Sequence, residues 1–331
     1  MPYTKTQITQ LISKIQSARN IILTTHKTCD GDGLGSVLAF YHAFKKINKP
    51  ARAITVDKVS QKYHFLSPEK YTENFEKLKT IREPTEIALV FDTNDYRRIQ
   101  PLYKELKKHC QEIIYIDHHP ILDTGPKPSP YSIIDPTAAS TSEICYFLLN
   151  EMGVSMDATI ATALYVGIVF DTQRFHFTRN SEISHKICAD LCQYIKNNES
   201  IYTHLFGMTS LNKMTLLSQT INQTEYFYKN QVAVLEITKE ELNKNNLDVG
   251  DACDFLDMTL DVNSTQLSVL IVHLSKDQYK LSFRSKKWNV SKLAEVFQGG
   301  GHKNASGATL VNYKKNPKPE ILKAIQPLTQ Q

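Results

Sequence analysis

The chain has 331 residues, 41% hydrophobic and 22% charged, the balance of an ordinary globular protein with length enough for two cores. Its formal net charge is only +5, which suits an anionic substrate but excludes the dense basic footprint of a long-duplex binder. No apolar run approaches the roughly 20 residues that span a bilayer, and the first residues lack the apolar core of a signal peptide, so a cytoplasmic location without a membrane partner is expected. The six cysteines form no CxxC pair and no regular framework, which predicts reduced thiols. Cys188 and Cys192 stand four apart in a helical stretch and read as core thiols.

In chain order, residues 21–25 read as a β-strand, followed by a loop and a helix over 34–47. Further strands are predicted at 51–56, 87–91 and 112–116, with a short one at 131–134. Helical spacing covers 141–152, 157–170 and 181–194. Strands alternating with helices predict an α/β domain, a doubly wound parallel sheet covered on both faces, over residues 1–195. Residues 196–230 are polar and dotted with aromatics, and read as a helical connector. Beyond it, 231–237 alternates as a strand, 267–274 and 278–284 make a hairpin, and a helix over 290–297 stops at Gly299-Gly300-Gly301. Residues 231–331 are therefore expected to form a smaller α+β domain.

Four segments carry chemistry. Asp117-His118-His119 follows an apolar run, and His26, Asp30 and Asp32 follow the first strand. Asp92 follows the third strand, and Asp171 closes a helical stretch. A doubly wound sheet gathers ligands outside the carboxyl ends of its strands. His26, Asp30, Asp32, Asp92, His118 and Asp171 are the candidate ligands. Four carboxylates and two imidazoles suit a pair of divalent ions better than one. Mixed oxygen and nitrogen donors favour Mn²⁺ over Mg²⁺, and the lack of thiolates argues against a closed structural zinc site. Phosphate-ester hydrolysis is the reaction such a pair serves best. A turn at Gly31 is expected to direct Asp30 and Asp32 to separate ions, with Gly31, Gly33 and Gly35 allowing a tight turn and close backbone approach. Any one of these residues alone would more often be a helix cap or a satisfied polar group; their order and placement together make the signal.

These segments resemble the DHH phosphoesterase superfamily, named for the motif present here as Asp117-His118-His119. The run Gly299-Gly300-Gly301-His302-Lys303-Asn304-Ala305-Ser306-Gly307 resembles the signature of its associated C-terminal domain. Length and layout are similar to the stand-alone, RecJ-like nano-RNase and 3′-phosphoadenosine-5′-phosphate (pAp) phosphatase group. The resemblance implies an active-site cleft between the two domains. It further implies that His26 and Asp30 bind one ion, that Asp32, His118 and Asp171 bind the other, and that Asp92 bridges them. His119 would face the scissile phosphate, with Asp92 and His119 as the catalytic pair and Asp117 orienting the histidines from behind. Arg284 and Ser285, with Gly300, Gly301 and His302, would hold the substrate's terminal phosphate. Cys29 stands where the family often has proline, and Gln173 where it commonly has glycine. Neither change removes a ligand.

The expected activity is a Mn²⁺-dependent hydrolysis of short single-stranded oligonucleotides or pAp by a two-metal activated hydroxide. The alternative substrates are a cyclic dinucleotide (c-di-AMP) and a linear dinucleotide. A long-strand exonuclease would need a further domain to track its strand, and a nucleotide-binding regulator would carry degenerate ligands. No signature decides between a monomer and a homodimer. Trp288, the one tryptophan, reads as a staple at the start of a helix rather than a base-stacking platform, and Arg97 and Arg98 are left out of the site.

Overall fold

Alternating apolar and helical segments set the layout, and the computed structural model describes residues 4–121, 125–207, 209–301 and 303–329. The chain divides into two compact units, Met1–Met208 and Thr209–Gln331. The segment expected as a connector is shared between them. Among the described residues no helix is long and apolar enough to cross a membrane.

In the first unit, α1 (Lys5–Ser17) leads to β1 (Ile21–Thr25), α2 (Gly31–Lys46) and β2 (Ala51–Thr55). Three short elements follow, α3 (Pro68–Tyr71), β3 (Thr72–Asn74) and α4 (Phe75–Leu78). Then come β4 (Thr85–Phe91), α5 (Leu102–His109), β5 (Cys110–Asp117) and β6 (Ile133–Ile134). The helices α6 (Thr141–Glu151), α7 (Ala158–Asp171), α8 (Ser181–Cys192) and α9 (Asn198–Tyr202) complete it. The sheet order is β3-β2-β1-β4-β5-β6, with every pair parallel. Every residue of β1 is buried, as a central parallel strand covered on both faces requires. The order of connection reverses between β1 and β4, so the crevice at their carboxyl ends is the topological switch point of the sheet.

Helix α2 begins at Gly31, three residues before the expected start. Asp30 is its N-cap, its Oδ1 accepting the amides of Asp32 at 3.0 Å and Gly33 at 3.1 Å. The glycine-rich first turn has poor intrinsic helix propensity and hides this start from a propensity reading. Gly31, Gly33 and Gly35 are not in the left-handed region, so they make no tight turn. They serve contact instead. A Cβ at Gly35 would overlap the carbonyl oxygen of Ala163 in α7, and one at Gly31 would lie 2.7 Å from Phe170 Cβ. Almost all of α7 between Ile160 and Val169 is buried, which matches a helix apolar on all sides.

The second unit runs through α10 (Leu211–Asn222), β7 (Glu225–Phe227), β8 (Val232–Thr238), α11 (Lys239–Lys244), α12 (Val249–Cys253) and α13 (Phe255–Leu260). It continues with β9 (Leu267–Ser275), β10 (Gln278–Ser285), α14 (Val290–Val296), β11 (Gly300–Gly301), β12 (Ala305–Leu310) and α15 (Lys318–Thr329). Its sheet order is β11-β12-β10-β9-β8-β7, with β8 and β9 parallel and the other neighbours antiparallel. Period-two alternation along β8 separates two cores: Val232 and Val234 join Trp288, Leu293 and Ile321, whereas Leu235 and Ile237 join Leu216, Phe255 and Leu256. Gln298, with a left-handed backbone (φ 57°), ends α14 in place of the expected glycine, and the glycine run that follows supplies the short strand β11.

Gly35→Ala is expected to lower the unfolding free energy by about 1–3 kcal/mol, because α2 and α7 must separate to admit the methyl. Gly207→Ala, where a Cβ meets nothing nearer than 3.6 Å, should stay within about 0.5 kcal/mol. Urea unfolding of the two variants checks this; an unchanged midpoint for Gly35→Ala would refute the contact role.

Candidate metal centre

Three strands of the first unit end at one place. His26 follows β1, Asp92 follows β4, and β5 ends at Asp117 with His118 and His119 next. Two helices supply the rest: Asp30 and Asp32 from the start of α2, Asp171 from the last position of α7. Asp92 has a left-handed backbone (φ 60°), a conformation that a non-glycine residue adopts at a cost and that recurs at functional sites.

These residues fall into overlapping groups. His26, Asp30 and Asp92 offer ligand atoms within 4.8 Å of one another, and so do Asp32, His118 and Asp171. Asp92 touches both triads, with Oδ2 3.3 Å from His26 Nε2 and Oδ1 3.5 Å from His118 Nε2. His118 Nε2 also lies 3.2 Å from Asp171 Oδ2. His119 groups with Asp92 and His118 as well, but its Nδ1 is 2.8 Å from Asp117 Oδ1, which also accepts the His119 amide. Asp117 is fully buried, and its other oxygen accepts from Asn94 Nδ2 at 2.6 Å. Asp32 is buried too, its two oxygens accepting the amides of Thr141 and Ser142 at the start of α6, at 2.6 and 2.8 Å.

The electrostatics are those of a site built around positive charge. Burial, then repulsion from Asp92, holds Asp32 well above the ordinary carboxylate range. Asp171 is held there by burial and by Asp32 and Asp92, and Asp92 is raised by burial and by Asp30. Burial opposes the charging of His26, but Asp30 and Asp92 overcome it and raise the imidazole to about 10. His26 Nε2 is buried with no hydrogen bond among the described residues, 3.7 Å from Asp30 Oδ2. A divalent cation among these carboxylates would remove the repulsion and give that nitrogen a partner, so the donor set fits the ions the sequence calls for.

Of the residues expected in the second unit, Arg284 lies on β10 between Ser268 of β9 and Ala305 of β12. Its Nε is buried without a hydrogen bond among the described residues. Ser285 is a correction: it is 1% exposed, and its hydroxyl donates to Gln266 O while accepting the amides of Lys287 and Trp288. It builds the turn into α14 and has no capacity left for a phosphate. Gly300 is exposed, with open space where a Cβ would stand, and Gly301 adopts φ 143°. His302 lies outside the described residues. Trp288 is buried among the core residues of this unit, as a staple would be.

Other residues at the metal centre were left out of the expected site or not considered for it. Arg98 is exposed, and its charge acts on His26, Asp30 and His119, whereas Arg97 is tied to Asp95 at 2.9 Å. Arg179 Nη1 donates to the carbonyls of His118 (3.1 Å), Pro136 (2.7 Å) and Ala138 (3.0 Å), and so clamps the loop behind His118. Asn94, two residues after Asp92, had the one available signal, its nearness to a candidate ligand.

Comparison with known proteins agrees with this layout. Residues 20–168 match the family described as DHH family, N-terminal domain, and residues 229–331 match the DHHA1 domain. The chain is 28% identical over 313 residues to the bifunctional oligoribonuclease and PAP phosphatase NrnA of Bacillus subtilis (strain 168), covering 92% of this chain and 94% of that protein. It is 27% identical over 293 residues to the protein of the same name from Thermus thermophilus, covering 88% and 84%. Its fold is similar to the crystal structure of an exopolyphosphatase-related protein from Bacteroides fragilis, with a TM-score of 0.87 at 23% identity, covering 99% and 98% of the two chains. RecJ from Thermus thermophilus, solved with Mn²⁺, shares the fold more distantly, with a TM-score of 0.58 at 12% identity over 55% of that chain. With both domains present in this order, the chain belongs to the DHH family of phosphoesterases and is a phosphoric ester hydrolase.

Proposed function

We propose that this protein is a Mn²⁺-dependent phosphoesterase that hydrolyses short oligonucleotides and pAp. The observation that carries the reading is Asp92, a buried carboxylate with one oxygen toward His26 and the other toward His118. His26 and Asp30 would hold one ion, and Asp32, His118 and Asp171 the other, with Asp92 common to both. When bound, the ions would neutralise phosphoryl charge and lower the pKa of the attacking water. The mixed carboxylate and imidazole set favours Mn²⁺. Relatives that match nearly the whole chain carry the names oligoribonuclease and PAP phosphatase, which supports the choice of short substrates.

The chain's own groups supply the rest. Burial opposes the charging of His119, but Asp117 outweighs it and holds the imidazole above its ordinary range. His119 is 23% exposed at its side chain against 2% for His118, so it is the imidazole that meets substrate. With Nδ1 committed to Asp117, His119 offers Nε2 to the phosphoryl group, as a hydrogen-bond donor or as the acid toward the leaving oxygen. Arg98 adds positive charge at the same mouth. In the second unit, the guanidinium of Arg284 and the backbone amides at Gly300 and Gly301 suit a further phosphate.

The test is Mn²⁺-supported turnover of a matched panel: pAp, a 5′-phosphorylated dinucleotide, cyclic di-adenylate and a long single strand. Rapid turnover of the first two with the long strand nearly untouched is expected. Preference for the cyclic compound would move the reading to cyclic dinucleotides, and no turnover would overturn it.

Further outcomes follow from the assignments. His119→Ala should lower kcat by about 10²–10⁴-fold with metal content unchanged by elemental analysis. Asp92→Asn should abolish both turnover and the thermal stabilisation by Mn²⁺. In the unmodified protein that stabilisation should reach about 2.7 kcal/mol at a hundredfold excess over Kd. Arg284→Ala should raise KM for short substrates and leave metal content alone; a loss confined to kcat would count against a binding role.

A further inference from the structure

We propose that Arg174 and Phe206 form a stacking platform for the nucleobase of the substrate, a proposal that rests on the nucleotide reading above. Alternating rings and cations form a series that begins at the residue before Asp171. Phe170 directly precedes Asp171, and its Cβ is so close to Gly31, the residue between Asp30 and Asp32, that a Cβ there would lie 2.7 Å away. Lys62 Nζ sits 4.7 Å from the Phe170 ring centroid and 5.8 Å from that of Phe206. Arg174 Cζ sits over Phe206 at 5.0 Å. The series therefore reads Phe170, Lys62, Phe206, Arg174, and its outer member is exposed. All four belong to the first unit.

Arg174 is held there by an unusual backbone. Gln173, Arg174 and Phe175 have φ of 47°, 61° and 65°, three successive left-handed residues without a glycine. Thr172 fastens the turn, its hydroxyl donating to Ile168 O at 2.6 Å and accepting the Phe175 amide at 3.1 Å, while Arg174 N donates to Val169 O at 2.9 Å. Phe206 comes from a π-helical turn, Thr203–Gly207, another irregular element. Among the described residues no carboxylate pairs with Arg174, so its guanidinium has one face on a ring and its charge uncommitted. A guanidinium plane backed by an aromatic ring is a surface on which bases stack, and such stacking tolerates any base because each presents a π-face. Its place three residues after Asp171 puts it within a nucleotide's reach of a phosphate at the metal centre. Trp288, the other aromatic residue considered for this role, is 6% exposed and lies in a core.

The experiment uses the full chain with Mn²⁺ and compares binding of AMP with binding of ribose 5-phosphate, alongside KM for a 5′-phosphorylated dinucleotide. The unmodified protein should prefer AMP. Arg174→Lys, which keeps the charge but not the plane, should lose about 5- to 150-fold of that preference while holding ribose 5-phosphate as before. Phe206→Leu should lose part of it, with a thermal melt confirming that the variant is folded. Equal binding of the two ligands by the unmodified protein, or full preference retained in Arg174→Lys, would overturn the platform. A base preference that depends on Arg174 in a protein that hydrolyses nothing would sustain the platform and overturn the enzymatic reading instead.

Discussion

Carboxylates buried side by side repel one another, and the first unit is organised to hold four of them at one crevice. Asp30 and Asp32 sit at the start of α2, where the helix macrodipole and free amides favour negative charge. Asp32 receives two more amides from the start of α6. Asp171 has the opposite situation, at the last position of α7, where the dipole disfavours an anion, and among the described residues no such amides point at it. The protein thus leaves part of the repulsion unrelieved, which is the condition for binding a cation rather than merely tolerating acidic residues.

Holding charges this close demands that their supports be closer still. α2 carries Asp30 and Asp32, α7 carries Asp171, and the two helices approach to a distance that only glycine permits at Gly35 and Gly31. Gly167 of α7 lies against Ser142 and Asp32 in the same way, a Cβ there falling 2.7 Å from Asp32 Oδ1. The packing of the core and the geometry of the ligands are therefore one constraint. A methyl group added between these helices is felt at the carboxylates, because a close-packed interior transmits strain instead of absorbing it.

Much of this was legible in the sequence, for a physical reason. Central parallel strands are short apolar runs with sharp ends, so β1 was readable to the residue and β4 and β5 nearly so, which placed His26, Asp92 and His118 at strand ends. Amphipathic surface helices such as α5 and the short helices α11 to α13 lack a long apolar stripe and were not found. The start of α2 was obscured because contact between helices needed glycines that propensity reads as a break. Ser285 was misread since a motif gives a residue's position but not what its hydroxyl already bonds. Arg98 was set aside because an exposed arginine after a strand more often does nothing specific, and Arg179 reaches His118 from 61 residues away, a pairing that no local spacing announces.

The adjacent histidines show how partners, not residue type, divide the chemistry. Their rings are 4.6 Å apart and nearly perpendicular. His118 is buried, with Nδ1 toward a backbone carbonyl, that of Ala138, at 3.4 Å. That carbonyl fixes the tautomer in which Nε2 faces the site, where Asp92 and Asp171 stand at 3.5 and 3.2 Å, the orientation a metal ligand needs. His119 has a carboxylate at 2.8 Å instead. A carboxylate favours the charged imidazole, which suits a group that meets a phosphate. Arg179 donates to the carbonyls of both His118 and Ala138, so one guanidinium ties the backbone of the first histidine to the carbonyl that orients its ring.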